Sequence, residues 1–287
     1  MCRFGAMLKR EVPPAELITH ARRHQTHFDE LWIVEDLPFA GGIAQAAAVL
    51  ASTDDVAIGH GIAPAPFRNT ACLAMEWAAL AEMFPGRFIA GLGHGVQSWM
   101  GDIGARPASP LTLLRETHDA VVRLLDGEHL SIAGEYVTLS DQQLEFAPAQ
   151  PPVVSLGVHG PRSLELSGSI AAGTILPEGH GPEQIANARA HLAAGASLQR
   201  RNVEDHQLTV FVSFHVGGPD TMAPRNPEAP TMWEATGDDA DAVATKLASL
   251  VDAGVDSIVL VSLGLDIDAQ LELAATEIVP TLRAAVT

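Results

Sequence analysis

Residues 56–93 read VAIGHGIAPAPFRNTACLAMEWAALAEMFPGRFIAGLG, and their reading decides the fold. The stretch opens with one short apolar run, Val56–Ile62, and closes with another, Arg87–Gly93. Continuous aliphatic runs of this kind suit parallel strands buried on both faces. Between them, Asn69 is placed to cap a helix over Thr70–Phe84, in which Leu73, Trp77, Leu80 and Met83 recur at helical spacing. Strand, helix and strand in this order make one round of a parallel α/β fold.

Working outward, the same round recurs on both sides. The remaining strand runs are Arg3–Leu8, Leu31–Glu35, Val153–Val158, Gly173–Leu176, Leu208–Val216 and Ser257–Ser262. Helical stretches follow at Pro14–His27, Ile43–Ala51, Pro110–Leu125, Pro161–Ala171, Pro182–Leu198, Asp238–Ala253 and Asp268–Ala285. Prolines at the first helical turn and Ser109 at an N-cap position sharpen several starts, and Ala253-Gly254 supplies a stop. Eight rounds favour a closed (β/α)8 TIM barrel, formed as one domain over residues 1–287. An open doubly wound sheet needs a switch point, and the sequence offers none. Two segments break the rhythm. Glu128–Leu144 alternates around Ala133-Gly134-Glu135 and reads as a β-hairpin inserted before the fifth strand. Gly217–Gly237 follows the seventh strand, is rich in Pro and Gly, and reads as a mobile lid or a solvated loop.

Composition narrows the function. The 287 residues are 47% hydrophobic and 18% charged, enough for a large core, and carry a formal charge of −18. An acidic surface disfavours nucleic acid and anionic membrane as partners. Only Cys2 and Cys72 are present, without a disulfide framework, which fits a reducing cytoplasm. No apolar run reaches the length of a membrane span, and no signal peptide is legible at the N-terminus.

In a barrel of this type the working groups stand at the C-terminal ends of the strands. Those positions hold Glu35-Asp36, Gly59-His60-Gly61-Ile62, Gly91-Leu92-Gly93-His94-Gly95, Gly157-Val158-His159-Gly160-Pro161-Arg162-Ser163 and Pro177-Glu178-Gly179-His180-Gly181. Glycine at such an end lets a flat ligand approach the backbone, and histidine there can donate a hydrogen bond, move a proton or ligate a metal. The alternative is turn-forming glycine beside partly buried rim histidine. No metal-binding spacing such as His-Glu-x-x-His occurs, so no metal is expected. Adjacent Glu35 and Asp36 point oppositely on a strand, so one of them faces the mouth. A Gly-x-Ser-x-Gly nucleophile turn is also lacking. The turn 157–163 opens a helix whose N–H groups suit an anion.

These residues together resemble the bacterial-luciferase-like family of flavin and deazaflavin oxidoreductases. The resemblance is carried by Leu31-Trp-Ile-Val-Glu-Asp36, Ile58-Gly-His-Gly-Ile-Ala-Pro64 with Arg68-Asn69, Leu80–Phe88, Gly91–Gly95, Gly134-Glu-Tyr136, Gly160–Leu164 and Ala172–Leu176. It implies a luciferase-like TIM barrel, usually dimeric, with a flavin-type ring at the C-terminal mouth. Within the family the chain is most similar to the branch that uses coenzyme F420, with FMN as the alternative cofactor. The resemblance implies a cis peptide at Gly61-Ile62 behind the ring, with His60, Gly61, Ile62, Gly93 and His94 beside it. It implies ring contact at Glu35-Asp36, and phosphate contact at Val158-His159-Gly160 and Leu176-Pro177-Glu178-Gly179. Two departures stand out. Leu37 follows the acid where F420 dehydrogenases often carry histidine, and Val96-Gln97 follow Gly95 where some carry a carboxylic acid. His94 and Asp36 are therefore the expected catalytic groups, and Arg68 or Arg162 the expected source of local positive charge.

The leading expectation is hydride transfer between F420 and a small organic substrate. One alternative is an FMN-dependent monooxygenase using reduced flavin and dioxygen, supplied by a separate reductase. Another is a cofactor-binding protein without turnover.

Overall fold

A computed structural model describes residues 2–224 and 232–286. The strands are β1 (Arg3–Met7), β2 (Glu30–Ile33), β3 (Ala57–Pro64), β4 (Phe88–Gly93), β5 (Leu130–Ala133), β6 (Thr138–Gln142), β7 (Val154–Gly157), β8 (Gly173–Leu176), β9 (Gln207–Val216), β10 (Ala235–Gly237) and β11 (Ser257–Ser262). The helices are α1 (Leu17–His24), α2 (Gly42–Ser52), α3 (Thr70–Met83), α4 (Gln97–Asp102), α5 (Pro110–Leu125), α6 (Pro161–Ile170), α7 (Pro182–Leu198), α8 (Ala240–Asp252), α9 (Ile267–Leu273) and α10 (Val279–Val286).

Parallel pairing runs β9-β11-β1-β2-β3-β4-β7-β8, and a β8–β9 ladder closes the ring. The barrel strands are those read from the sequence. β5 and β6 pair antiparallel in a separate two-stranded sheet after α5. Its turn is tied to α5 by Glu116, whose carboxylate accepts the amides of Glu135, Tyr136 and Val137 at 2.9–3.0 Å. Two elements escaped the sequence reading. α4 is a six-residue helix in the excursion after β4. β10 pairs with the outer end of β9 beyond the point where β8 stops. The candidate lid segment 217–237 falls partly outside the described residues. Its described part holds a 3-10 turn at Pro219–Thr221 and β10.

Strand alternation divides the core into two layers. Outward side chains such as Leu31, Ile58, Leu92, Leu156 and Phe214 join Leu73, Trp77, Leu114 and Val121 from the helices in one continuous cluster. Inward side chains Met7, Trp32, Ile175, Phe211, Val259 and Val261 form a second cluster that fills the barrel. Trp32 meets Phe211 edge-on, with ring centroids 5.3 Å apart. Beneath them Glu30, 1% exposed, accepts from Trp32 Nε1 and Ser257 Oγ at 2.8 Å and pairs with Arg3. The lower barrel is therefore plugged, and a ligand has room only at the C-terminal end.

α6 and α7 cross at backbone contact. A Cβ on Gly195 would collide with Glu165 O, and one on Gly168 with Leu192 O. Among the described residues no helix is long and apolar enough to cross a membrane.

Candidate active site

The floor of the mouth is made by Ile62. The β3–β4 register shifts between His60 and Ala63, and the Gly61–Ile62 peptide there is cis. The half-buried Ile62 side chain enters the barrel and rests among glycines. A Cβ at Gly157 would stand 2.6 Å from Ile62 Cγ2, one at Gly93 2.8 Å from Ile62 Cδ1, and one at Gly91 3.1 Å from Ile62 Cγ2. A Cβ at Gly61 would meet Phe211 Cζ at 2.6 Å. The inward glycines were expected to admit a ligand directly. Instead they admit Ile62, and Ile62 caps the Trp32–Phe211 plug with a small apolar shelf.

Around this shelf the ends of the neighbouring strands β4, β7 and β8 bring three histidines. His94 is half-buried, and its Nδ1 lies 3.3 Å from Pro110 O. A carbonyl only accepts, so Nδ1 carries the proton and Nε2 keeps its lone pair. Burial lowers the His94 pKa, the Pro110 bond opposes this in part, and His159 adds repulsion. His180 is also lowered, chiefly by burial, with its Nδ1 2.8 Å from Pro177 O and with His159 again adding repulsion. Exposed His159 thus acts electrostatically on both.

Helix α6 starts beside them. Its N-cap, Gly160, carries no capping side chain, Pro161 occupies the first turn, and Ser163 Oγ donates to Gly160 O at 2.9 Å. A Cβ on Gly160 would meet only Ser163 Oγ, at 3.5 Å, so this turn is open to an anion. Val158 and Leu176 turn their side chains into the outer core, so only their backbone can serve a ligand. Pro177, Glu178 and Gly179 form the half-exposed turn after β8. Met232 and Trp233 lie across it: a Cβ on Gly179 would meet Met232 Cε at 2.7 Å, and Trp233 bridges Gly179.

Three expectations are corrected. His60 does not face the mouth. Gly59 and Gly61 point inward at Trp32 and Phe211, so the residue between them points outward. Its ring is fully buried between barrel and helices, over Gly42 and edge-on to Trp77. Glu35, 5% exposed, is not a ring contact either. Arg68 grips it at 2.6 and 2.8 Å, Gly42 N donates at 2.9 Å, and His60 Nε2 stands 3.5 Å away. Burial alone would raise the Glu35 pKa. The Arg68 bonds, with His60 and Gly42, overcome it and hold the carboxylate far below its usual range. Arg68 also meets Glu76 at 3.3 Å, so its charge is answered and not available to the mouth.

Asp36, half-exposed just past the end of β2, is held by Arg10 at 2.7 Å. Arg10 also lies 5.0 Å from the Phe39 ring centre. Lys9 Nζ donates to Ser262 O at 3.1 Å, joining the ends of β1 and β11. The sequence reading missed Lys9, Arg10 and Phe39. Their signal was available, since Lys9 and Arg10 directly follow the first strand run, at the same end as the other candidates. Arg162 at the start of α6 is exposed. Among the described residues no group of three His, Cys, Asp or Glu could hold a metal.

A closed parallel barrel, plugged below and open above an apolar shelf with imidazoles on one rim, belongs to the α/β-barrel class whose ligands enter at the strand C-termini. Residues 1–253 match the luciferase-like monooxygenase family model, and the chain belongs to that family. It is 26% identical over 74% of its length to a 5,10-methylenetetrahydromethanopterin reductase of Methanolobus tindarius, covering 65% of that relative. It is 30% identical over 63% of its length to an F420-dependent glucose-6-phosphate dehydrogenase of Nakamurella multipartita, covering 57% of it. The aligned part is thus less than two thirds of either relative. In fold it matches the coenzyme F420 dependent tetrahydromethanopterin reductase of Methanopyrus kandleri with a TM-score of 0.86 and 19% identity, covering 98% of this chain and 99% of that one. An F420-dependent secondary alcohol dehydrogenase, solved with an F420-acetone adduct, matches with a TM-score of 0.87 and 18% identity, covering 99% and 100%.

Proposed function

We propose that the protein is an oxidoreductase that transfers a hydride between coenzyme F420 and a small organic substrate. The observation that carries this reading is the mouth itself, where an uncharged Ile62 shelf faces solvent across from an open helix start. A planar ring needs the first and a phosphate-bearing tail the second. The names of the relatives, among them F420-dependent glucose-6-phosphate dehydrogenases, favour the deazaflavin over FMN.

The residues present fit such a coenzyme. Ile62 would support the ring, and the backbone at Val158–Gly160 with Ser163 and the amides of α6 would hold its phosphate. When bound, the deazaflavin supplies a carbon that accepts or donates a hydride. The protein's own contribution is position and proton control. His94 presents the unprotonated Nε2. With an alcohol substrate, Nε2 would take the O–H proton, and in carbonyl reduction it would return one. Asp36, fixed by Arg10, holds negative charge at the opposite rim.

The quaternary reading is a homodimer. α2 and α3 expose an apolar face of small and soft side chains, including Ala44, Ala51, Cys72, Met75 and Ala79. Met75 is 60% exposed. A reductase that regenerates the coenzyme is the expected second partner, and a reducing cytoplasm the expected location, consistent with the unpaired cysteines. Light scattering tests the dimer. Titration of the coenzyme-free protein with F420 and with FMN tests the function: tight F420 binding is expected, and binding of FMN alone, with oxygen uptake in the presence of reduced FMN and substrate, would replace the proposal with the monooxygenase reading.

A further inference from the structure

The long connection from β4 to α5, which contains α4, folds back on its own first residue, His94. Pro110, the first residue of α5, accepts from His94 Nδ1 at 3.3 Å. Gln97, the first residue of α4, donates from Nε2 to the carbonyl of His94 at 3.1 Å and to that of Gly95 at 3.3 Å. The starts of both helices therefore meet at the His94 turn, one on its imidazole and one on its backbone.

That turn is sharp. Gly95 lies at φ +68°, in the left-handed region, and two successive carbonyls converge on one side chain. A Cβ on Gly95 would stand 3.0 Å from Pro64 Cβ and 3.1 Å from Sδ of fully buried Met100, so the backbone is packed close on one side. No side chain caps α4, whose N-cap is Val96. The Gln97 amide serves the turn before the helix instead.

The orientation of this amide shows which demand prevails. Gln97 Oε1 is buried and has no hydrogen-bond partner among the described residues. A buried acceptor without a donor costs free energy. Exchanging Oε1 and Nε2 would be worse, because the oxygen would then face two carbonyl oxygens and none of the three can donate. The side chain leaves one acceptor idle and satisfies both carbonyls of the turn.

We infer that Gln97 is the positioning residue for His94. By holding the backbone at His94 and Gly95 it keeps Nδ1 on Pro110 O, which leaves the Nε2 lone pair free for a substrate proton. In turnover this matters only where His94 moves the proton as proposed above, whereas the fixed tautomer is a property of the coenzyme-free protein.

The proton position on His94 is read in the coenzyme-free full-length protein by long-range proton–nitrogen correlation spectra of labelled histidine, which separate the Nδ1–H from the Nε2–H form. Loss of the signal in His94→Ala assigns it. Wild type should show the Nδ1–H form. Gln97→Met keeps the side-chain length and removes the donors, so a mixture with the Nε2–H form is expected, with kcat about tenfold lower and the coenzyme KM little changed. Gln97→Glu separates this hold from packing. It matches the wild-type shape, but once ionised it presents only acceptors to the two carbonyls. The hold places Gln97→Glu below Gln97→Met, with kcat about 100-fold under wild type at about pH 8, where the new carboxyl is ionised. Packing alone would place Gln97→Glu beside wild type. Ser98→Ala, at the exposed next position, should leave the His94 signal unaltered. Far-UV circular dichroism verifies that each variant is folded. A wild-type His94 signal in Gln97→Met or in Gln97→Glu, or an equal change in Ser98→Ala, would overturn the inference. An altered signal with unaltered kcat would overturn only the role of His94 in the chemistry, and failure to bind F420 only the proposed function.

Discussion

Replacing Arg68 with methionine tests whether Glu35 is a structural anion or a ligand contact. In the wild-type protein Glu35 is 5% exposed and receives two short bonds from Arg68, one from Gly42 N and a longer approach from His60. Arg68→Met keeps most of the side-chain volume and removes both short bonds. The carboxylate is left buried with one amide and one imidazole, so the expected cost at pH 7 is about 3–5 kcal/mol. Removing both charges, in Arg68→Met with Glu35→Leu, should restore stability to within about 1–2 kcal/mol of wild type, because no orphan charge remains. The sign with pH follows from the depressed pKa of Glu35. A carboxyl held below its unfolded value contributes stability fully above about pH 4.3, and that contribution fades as pH falls toward the folded value. The single variant has already lost it. Its deficit relative to wild type should therefore be largest at pH 7 and narrow below about pH 4.3. Urea unfolding followed by the fluorescence of buried Trp32 and Trp77, at matched protein concentration, measures both quantities. A deficit under about 1 kcal/mol, or one independent of pH, would refute the buried-pair account.

Three further outcomes are expected. His94→Ala should lower kcat about 100-fold or more with little change in coenzyme affinity. Because burial lowers the His94 pKa, the acid limb of the wild-type profile should lie below the ordinary histidine value and be absent in the variant; a limb shared by both proteins would remove His94 from the chemistry. Gly195→Ala should cost about 3 kcal/mol by urea titration, since its Cβ meets the rigid backbone of α6, and a neutral result would show that the crossing can open. Glu116→Ala should speed amide exchange at 135–137 while leaving the barrel strands protected. Wild-type protection there should persist through the ordinary carboxylate range and fade only at lower pH, because the Glu116 pKa is lowered by its bonds to those amides, which outweigh desolvation. Unaltered exchange would show that the hairpin turn is held by other contacts.

Some of this protein was settled by its chain alone. Short aliphatic runs, each followed by a helical period with Asn69, Ser109 or a proline at its start, specify eight parallel strands because local patterning repeats and a right-handed parallel wrap of eight rounds closes on itself. The strand-end rule also located His94, His159 and the turn at Gly160. The tertiary structure decided what faces what. Residue identity made His60 and Glu35 look like ligand contacts. Yet Gly59 and Gly61 are drawn inward by the Trp32–Phe211 plug, which turns His60 outward, and Arg68, 33 positions beyond Glu35, takes that carboxylate out of reach. The glycines of β4 and β7 likewise gain their purpose only once Ile62 lies over them. Such pairings join residues distant in sequence, and their energies depend on burial and on which groups the fold brings together. Neither quantity exists until the barrel has closed.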